Sequence, residues 1–223
     1  MEVSNMERTD DKKKPSAFNK YFTSLDTVTK VIVSLNVIAY LLLVINYKFE
    51  AVFGLNVEQL LNVGGVTGDS PLITVLFSMF AHYSLLHFVI NMAVLVLLSR
   101  TINANFSQIT YLYVYLLSGI IGNLITREFS PNIVSVGASG GVYGLVGLLL
   151  VCALFKRKYP DLNEMFMFIF ITAIVFIVGT FFSPMANLTS HIVGFVIGGI
   201  SGLIIQNFKL EVIRVDNLEE KQG

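Results

Sequence analysis

Apolar runs of helical length follow one another along this chain, separated by short polar stretches. Residues 28–47 form the first, close to the roughly 20 apolar residues that a helix needs to cross a bilayer. Residues 71–102 are too long for one crossing and are interrupted by His82 and His87, so 72–83 are expected near the membrane surface and 85–100 across it. Residues 109–126, 139–155, 166–182 and 188–208 supply four more spans. The connection 48–70 sets Lys48, Glu50, Glu58 and Asp69 among Val52, Phe53, Leu55, Leu60 and Leu61, a mixture that suits short helices lying in the interface. The expected fold is therefore all-α: a polytopic membrane bundle of six transmembrane helices over 29–207, between an N-terminal tail (1–28) and a C-terminal tail (208–223).

Composition agrees with that pattern. The chain has 223 residues, of which 54% are hydrophobic and only 13% charged, against about a quarter charged in soluble domains; its mean hydropathy is +0.72. The polar start Met1 to Lys30 is too long and too charged for a cleavable signal peptide, and residues 1–28 read as a short disordered or surface-lying tail, a solvated charge run. Cys152 stands alone in an apolar run, which excludes a disulfide within the chain and leaves it as a small lipid- or helix-facing residue.

Net charge is zero, yet the basic residues are unevenly placed. With the N-terminus inside, 13 of the 15 (Arg8, Lys12, Lys13, Lys14, Lys20, Lys30, Arg100, Lys156, Arg157, Lys158, Lys209, Arg214, Lys221) collect on the inner side, and Lys48 and Arg127 remain outside. By the positive-inside rule both termini are cytoplasmic in a multi-pass cell-membrane protein. Six spans then bring His82, His87, Ser139 and His191 to the outer side. The absence of a convincing internal repeat argues against a solute transporter.

Two glycine-striped runs carry the candidate chemistry. Ser139 opens one, with Gly140, Gly144 and Gly147 at i, i+4, i+7 spacing; His191 opens the other, with Gly194 and Gly198. Bare backbone stripes let two helices approach closely, which would bring the serine hydroxyl to an imidazole able to take its proton. Ser139 read alone is as well a small packing residue. Asp69, Glu128, Asp161 and Glu164 are all placed in loops, so no carboxylate is available to orient His191, and a Ser-His dyad is expected rather than a triad. Tyr143, one turn beyond Ser139, suits either support of the imidazole or an anchor at the interface. The constellation His82-x4-His87-x3-Asn91 places His87 and Asn91 on one helix face. There they could act with the Ser139 N–H as donors to a developing oxyanion. Zinc is disfavoured, since His82 and His87 are five apart and lack the glutamate of H-E-x-x-H.

With these residues in place, the chain resembles the rhomboid family of intramembrane serine proteases. The resemblance rests on Gly137-Ala138-Ser139-Gly140 with Tyr143 and Gly144, on His82-x4-His87-x3-Asn91, and on His191-x2-Gly194-x3-Gly198. It implies Ser139 as nucleophile, His191 as general base, and His87 and Asn91 in the oxyanion hole, with His82, Gly137, Tyr143, Gly194 and Gly198 in support. It also implies cleavage of transmembrane protein substrates near their extracytoplasmic ends, without cofactor or metal. The active site would be a water-filled cavity lined by His82, Ser84, His87 and Asn91. Partners expected are those substrates and the lipid bilayer, with no nucleic acid; the sequence does not give an oligomeric state. The chain departs from the family pattern in having no Trp-Arg pair in its first loop, where Thr74 stands near the arginine position. It also has Asn103 where an acidic residue is usual and Ser190 where alanine is usual. The rival is a rhomboid-like protein that grips membrane helices without cutting them.

Overall fold

Asp26 starts the first helix by accepting a hydrogen bond from the Thr29 N–H at 2.8 Å, so that α1 runs Thr27–Tyr47. In this computed structural model residues 25–154, 159–182 and 186–207 are described. Residues 1–24 of the N-terminal tail, the C-terminal tail, Lys156-Arg157-Lys158, and the last residues of two expected spans, Phe155 and Phe208, lie outside the described residues, and the last residues of the expected N-terminal tail, Thr27 and Val28, belong to α1. After α1 come two short helices, α2 (Phe49–Phe53) and α3 (Val57–Asn62), the latter opened by an Asn56–Gln59 capping box. Next, α4 (Thr74–Phe77) and a 3-10 turn (Ser78–Phe80) lead to α5 (Leu85–Asn105), whose first turn Ser84 caps. Then follow α6 (Gln108–Phe129), α7 (Ser139–Leu154), α8 (Pro160–Glu164), α9 (Phe166–Phe182) and α10 (Leu188–Asn207).

Each of the six expected spans is a helix, and the fold is all-α. Four (α1, α5, α6 and α10) are 20 to 22 residues long and apolar enough to cross a membrane, while α7 and α9 are shorter apolar helices. The chain is a multi-pass membrane protein. Three acidic residues are placed differently from expectation: Glu128 is in the last turn of α6, and Asp161 and Glu164 are in α8, because α6 continues past the apolar run and Pro160 opens a short helix. None of the three lies in the apolar middle of a span.

The bundle is built around α7. Val142, Leu145, Leu148, Leu149 and Cys152 are all fully buried, so Cys152 faces neighbouring helices and not lipid. Apolar burial alone gives helices little reason to associate in a hydrocarbon solvent, so close backbone packing must contribute. A Cβ added to Gly194 would fall inside the Gly140 carbonyl, and one on Gly198 inside the Gly144 carbonyl. Only glycine therefore permits the α7–α10 crossing at this separation.

Hydrogen bonds tie the connections between helices to that core. Asn123 of α6 donates to the Val75 carbonyl at 2.9 Å and to Ser78 Oγ at 2.8 Å, and accepts from Ser135 Oγ at 2.7 Å. Ser78 in turn accepts from the Gly137 N–H at 2.8 Å, and Val66 pairs with Ser135 in an isolated β-bridge. One buried amide thus holds the segment that precedes Ser139. The long 48–83 connection is half core and half surface. Leu55 and Leu60 are buried, while Phe49, Phe53, Leu72 and Ile73 are exposed and suited to the lipid interface. Arg127 reaches back to this connection, donating from Nε to the Ser70 carbonyl at 3.2 Å.

Candidate active site

Ser139 is the first residue of α7, so its own N–H has no acceptor within the helix. The turn before it needs Gly137, whose φ of +111° is a left-handed value and whose missing side chain makes room for His87. A Cβ there would lie 2.6 Å from the His87 ring. At the start of α10, Asn187 caps the helix by accepting from the Ser190 N–H at 3.1 Å, and its amide donates to Thr126 Oγ1 at 2.9 Å. That cap fixes the depth of His191.

The glycine-mediated contact brings the two candidate residues together: His191 Nε2 is 2.8 Å from Ser139 Oγ. Tyr143 stacks on the imidazole with ring centroids 4.3 Å apart and planes inclined by 14°, and its hydroxyl donates to the Phe176 carbonyl on α9. Tyr143 is itself buried, 4% exposed. The other imidazole nitrogen, Nδ1, lies 2.9 Å from Thr180 Oγ1. Sequence reasoning missed Thr180. It is one of two threonines in a nearly uniform apolar run, and no local pattern separates it from Thr172.

His87 and Asn91 do share a face of α5. Asn91 is buried and donates from Nδ2 to the His87 carbonyl at 2.8 Å, which leaves its second amide hydrogen for another partner. His87 and His82 meet edge to face at 5.1 Å, and Nδ1 of the one and Nε2 of the other are buried without a protein partner. His82 lies in the loop before α5. Burial first, and then the neighbouring His87, hold it far below the ordinary imidazole value, at about 3, so it is neutral near pH 7.

The surroundings of the dyad differ from expectation. His82, Ser84 and Asn91 are buried in the protein, with only His87 partly exposed. A cavity of about 120 Å³ borders His191 and is lined by Tyr143, Ile177, Thr180, Leu188, Ile192 and Phe195, an apolar surface. Among the described residues no cluster of three metal-ligating side chains occurs.

The site holds a hydrogen-bonded serine and histidine at a helix N-terminus, with further donors nearby. Comparison with known proteins points the same way. The Rhomboid domain family model matches residues 69–208. The chain is 31% identical over 133 residues to RHOMBOID-like protein 6, mitochondrial, of Arabidopsis thaliana, covering 57% of this chain and 42% of that one. It is 30% identical to the putative rhomboid protease YdcA of Bacillus subtilis, over 51% of this chain and 57% of the relative. It is 27% identical to the inactive RHOMBOID-like protein 8 of Arabidopsis thaliana, over 64% and 42% respectively. The chain thus spans about half the length of these three relatives and less of others that it matches, down to 15%.

Proposed function

Because the chain belongs to the rhomboid family, we propose that it is a serine endopeptidase that cuts transmembrane segments of other membrane proteins near their extracytoplasmic ends. Ser139 is the nucleophile and His191 the general base, and the observation that carries this is the 2.8 Å Nε2–Oγ contact inside a packed helix crossing. His191 takes the hydroxyl proton as Ser139 Oγ bonds to the scissile carbonyl carbon. The resulting oxyanion receives hydrogen bonds from the Ser139 N–H, the free amide hydrogen of Asn91 and His87. Collapse of the tetrahedral intermediate breaks the C–N bond, and the imidazolium returns its proton to the leaving amine. Water, deprotonated by the same imidazole, then releases the acyl group from Ser139.

The test uses purified protein in liposomes with a single-span substrate. Wild type is expected to release a cleaved product, while Ser139→Ala and His191→Ala each abolish it and the double variant is no worse than either, since the pair acts as a unit. Retention of near-normal turnover by His191→Ala would rule out this base. A wild-type protein that binds the substrate helix and leaves it intact would instead establish the non-proteolytic reading.

A further inference from the structure

His191 has two nitrogens, and the dyad accounts for one. A histidine that is to accept a proton at Nε2 must carry its resting proton on Nδ1. Serine proteases commonly place a carboxylate at that position; among the described residues no acidic side chain is hydrogen-bonded to His191. Thr180 is. Its Oγ1 is 2.9 Å from Nδ1, and the side chain is buried.

We propose that Thr180 is the positioning residue for His191: its hydroxyl oxygen accepts a hydrogen bond from Nδ1–H and holds the imidazole in the tautomer whose Nε2 is free to act as base. This rests on the reading of Ser139 and His191 as the dyad. Two features fit the hydroxyl to the role. Its own proton has an acceptor, the Phe176 carbonyl one turn earlier at 3.2 Å, which leaves the oxygen lone pairs for His191. The phenol of Tyr143 meets both that carbonyl and Thr180, so the ring that stacks on the imidazole also braces the residue that orients it. A neutral acceptor stabilises the imidazolium less than a carboxylate does, so the residue sets orientation and tautomer more than basicity.

The comparison is between wild type, Thr180→Val, which keeps the shape and removes the acceptor, and Thr180→Ser, which restores it. Cleavage of the single-span substrate is read as separate kcat and KM, and the imidazole state by 15N NMR of histidine-labelled protein at neutral pH. Only three histidines are present, and His191 is assigned by loss of its signal in His191→Ala. Thr180→Val is expected to lower kcat by about three- to tenfold, the scale of one neutral hydrogen bond, with KM unchanged. Its His191 signals should move from the Nδ1–H tautomer to a mixture, and Thr180→Ser should recover both readouts. Unchanged tautomer and kcat in Thr180→Val would overturn the proposal, and so would a Ser variant as impaired as the Val variant. The NMR readout needs no turnover. A wild-type protein that shows the Nδ1–H tautomer but never cleaves would therefore count against the protease reading and leave the Thr180–His191 contact standing.

Discussion

Asn91 is the residue where geometry and chemistry are least tightly bound together. Its Nδ2 already donates to the His87 carbonyl one turn back on α5, so a single remaining N–H would serve an oxyanion. A donor of that kind contributes chiefly in the transition state, so Asn91→Ala is expected to lower kcat and leave KM nearly unchanged. Removal of one oxyanion donor costs about 100–1,000-fold, with the loss here towards the lower end because His87 and the Ser139 N–H still share the charge. A small phosphonate probe should still label Ser139, more slowly. Steady-state kinetics with the single-span substrate decide the point: a raised KM with intact kcat would make Asn91 a substrate contact and leave the oxyanion to His87 and backbone donors. Gly137 gives a companion test. Its φ of +111° is strained for any L side chain, and a Cβ would press on the His87 ring. Gly137→Ala should therefore lower both thermal stability and cleavage, measured side by side.

At the level of elements, the crossing of α7 and α10 is a graded test of how backbone separation controls the dyad. A Cβ on Gly194 or Gly198 would overlap a carbonyl of α7, whereas one on Gly202 would meet the Leu148 carbonyl at 3.3 Å and Val151 at 3.2 Å, a tight but yielding contact. Gly194→Ala should push the helices apart beside Ser139. Since a displacement of ~1 Å can cost about 100-fold in rate, activity should fall before the protein unfolds. Gly202→Ala should lose only a few-fold; equal losses at the two positions would mean a general folding defect. This crossing was legible in the sequence, because the glycines repeat at helical spacing on both runs and Ser139 and His191 open them. The six spans were legible for a similar reason, as each is a nearly continuous apolar run. Thr180 was not: a hydroxyl in a span can bond its own i−4 carbonyl, as Thr172 does with Phe168, and spacing does not reveal that Thr180 also meets a histidine. Nor was Asn123 legible, since its three partners come from segments 12 to 48 positions away.

Over the whole molecule, the site gathers where helices of opposite direction end and begin. The C-terminal end of α6 meets the start of α10 through Ser130 and Thr189 at 2.9 Å, and Val66 after α3 pairs with Ser135 before α7. The end of α5 and the approach to α8 meet elsewhere, where the Phe106 and Tyr159 rings lie 5.1 Å apart. The first end carries Ser139, His87 and His191, and the distribution of basic residues predicts which side of the membrane it faces. By chain order, eight of the 15 basic residues belong to the two tails and three to Lys156-Arg157-Lys158, with Lys30 in the first turn of α1 and Arg100 near the end of α5; Lys48 and Arg127 stand at the site's end. Short loops rich in Lys and Arg are retained on the cytoplasmic side, so both termini should be cytoplasmic and the dyad should open outward. Reporters fused after Lys158 and at the C-terminus are expected to read cytoplasmic, and one inserted at 130–133 to read external. Termini on opposite sides would require an odd number of crossings and overturn the six-span arrangement. Inverted signals at all three positions would keep the six spans but turn the dyad to the cytoplasm, and the cleavage site on substrates would move with it. Moving positive charge should test the cause directly. Replacing Lys156, Arg157 and Lys158 together with glutamine weakens the strongest interior signal, and a mixed topology at the reporter after residue 158 is the expected result. An unchanged reading there would mean that other helices impose the orientation and that this loop's charge does not.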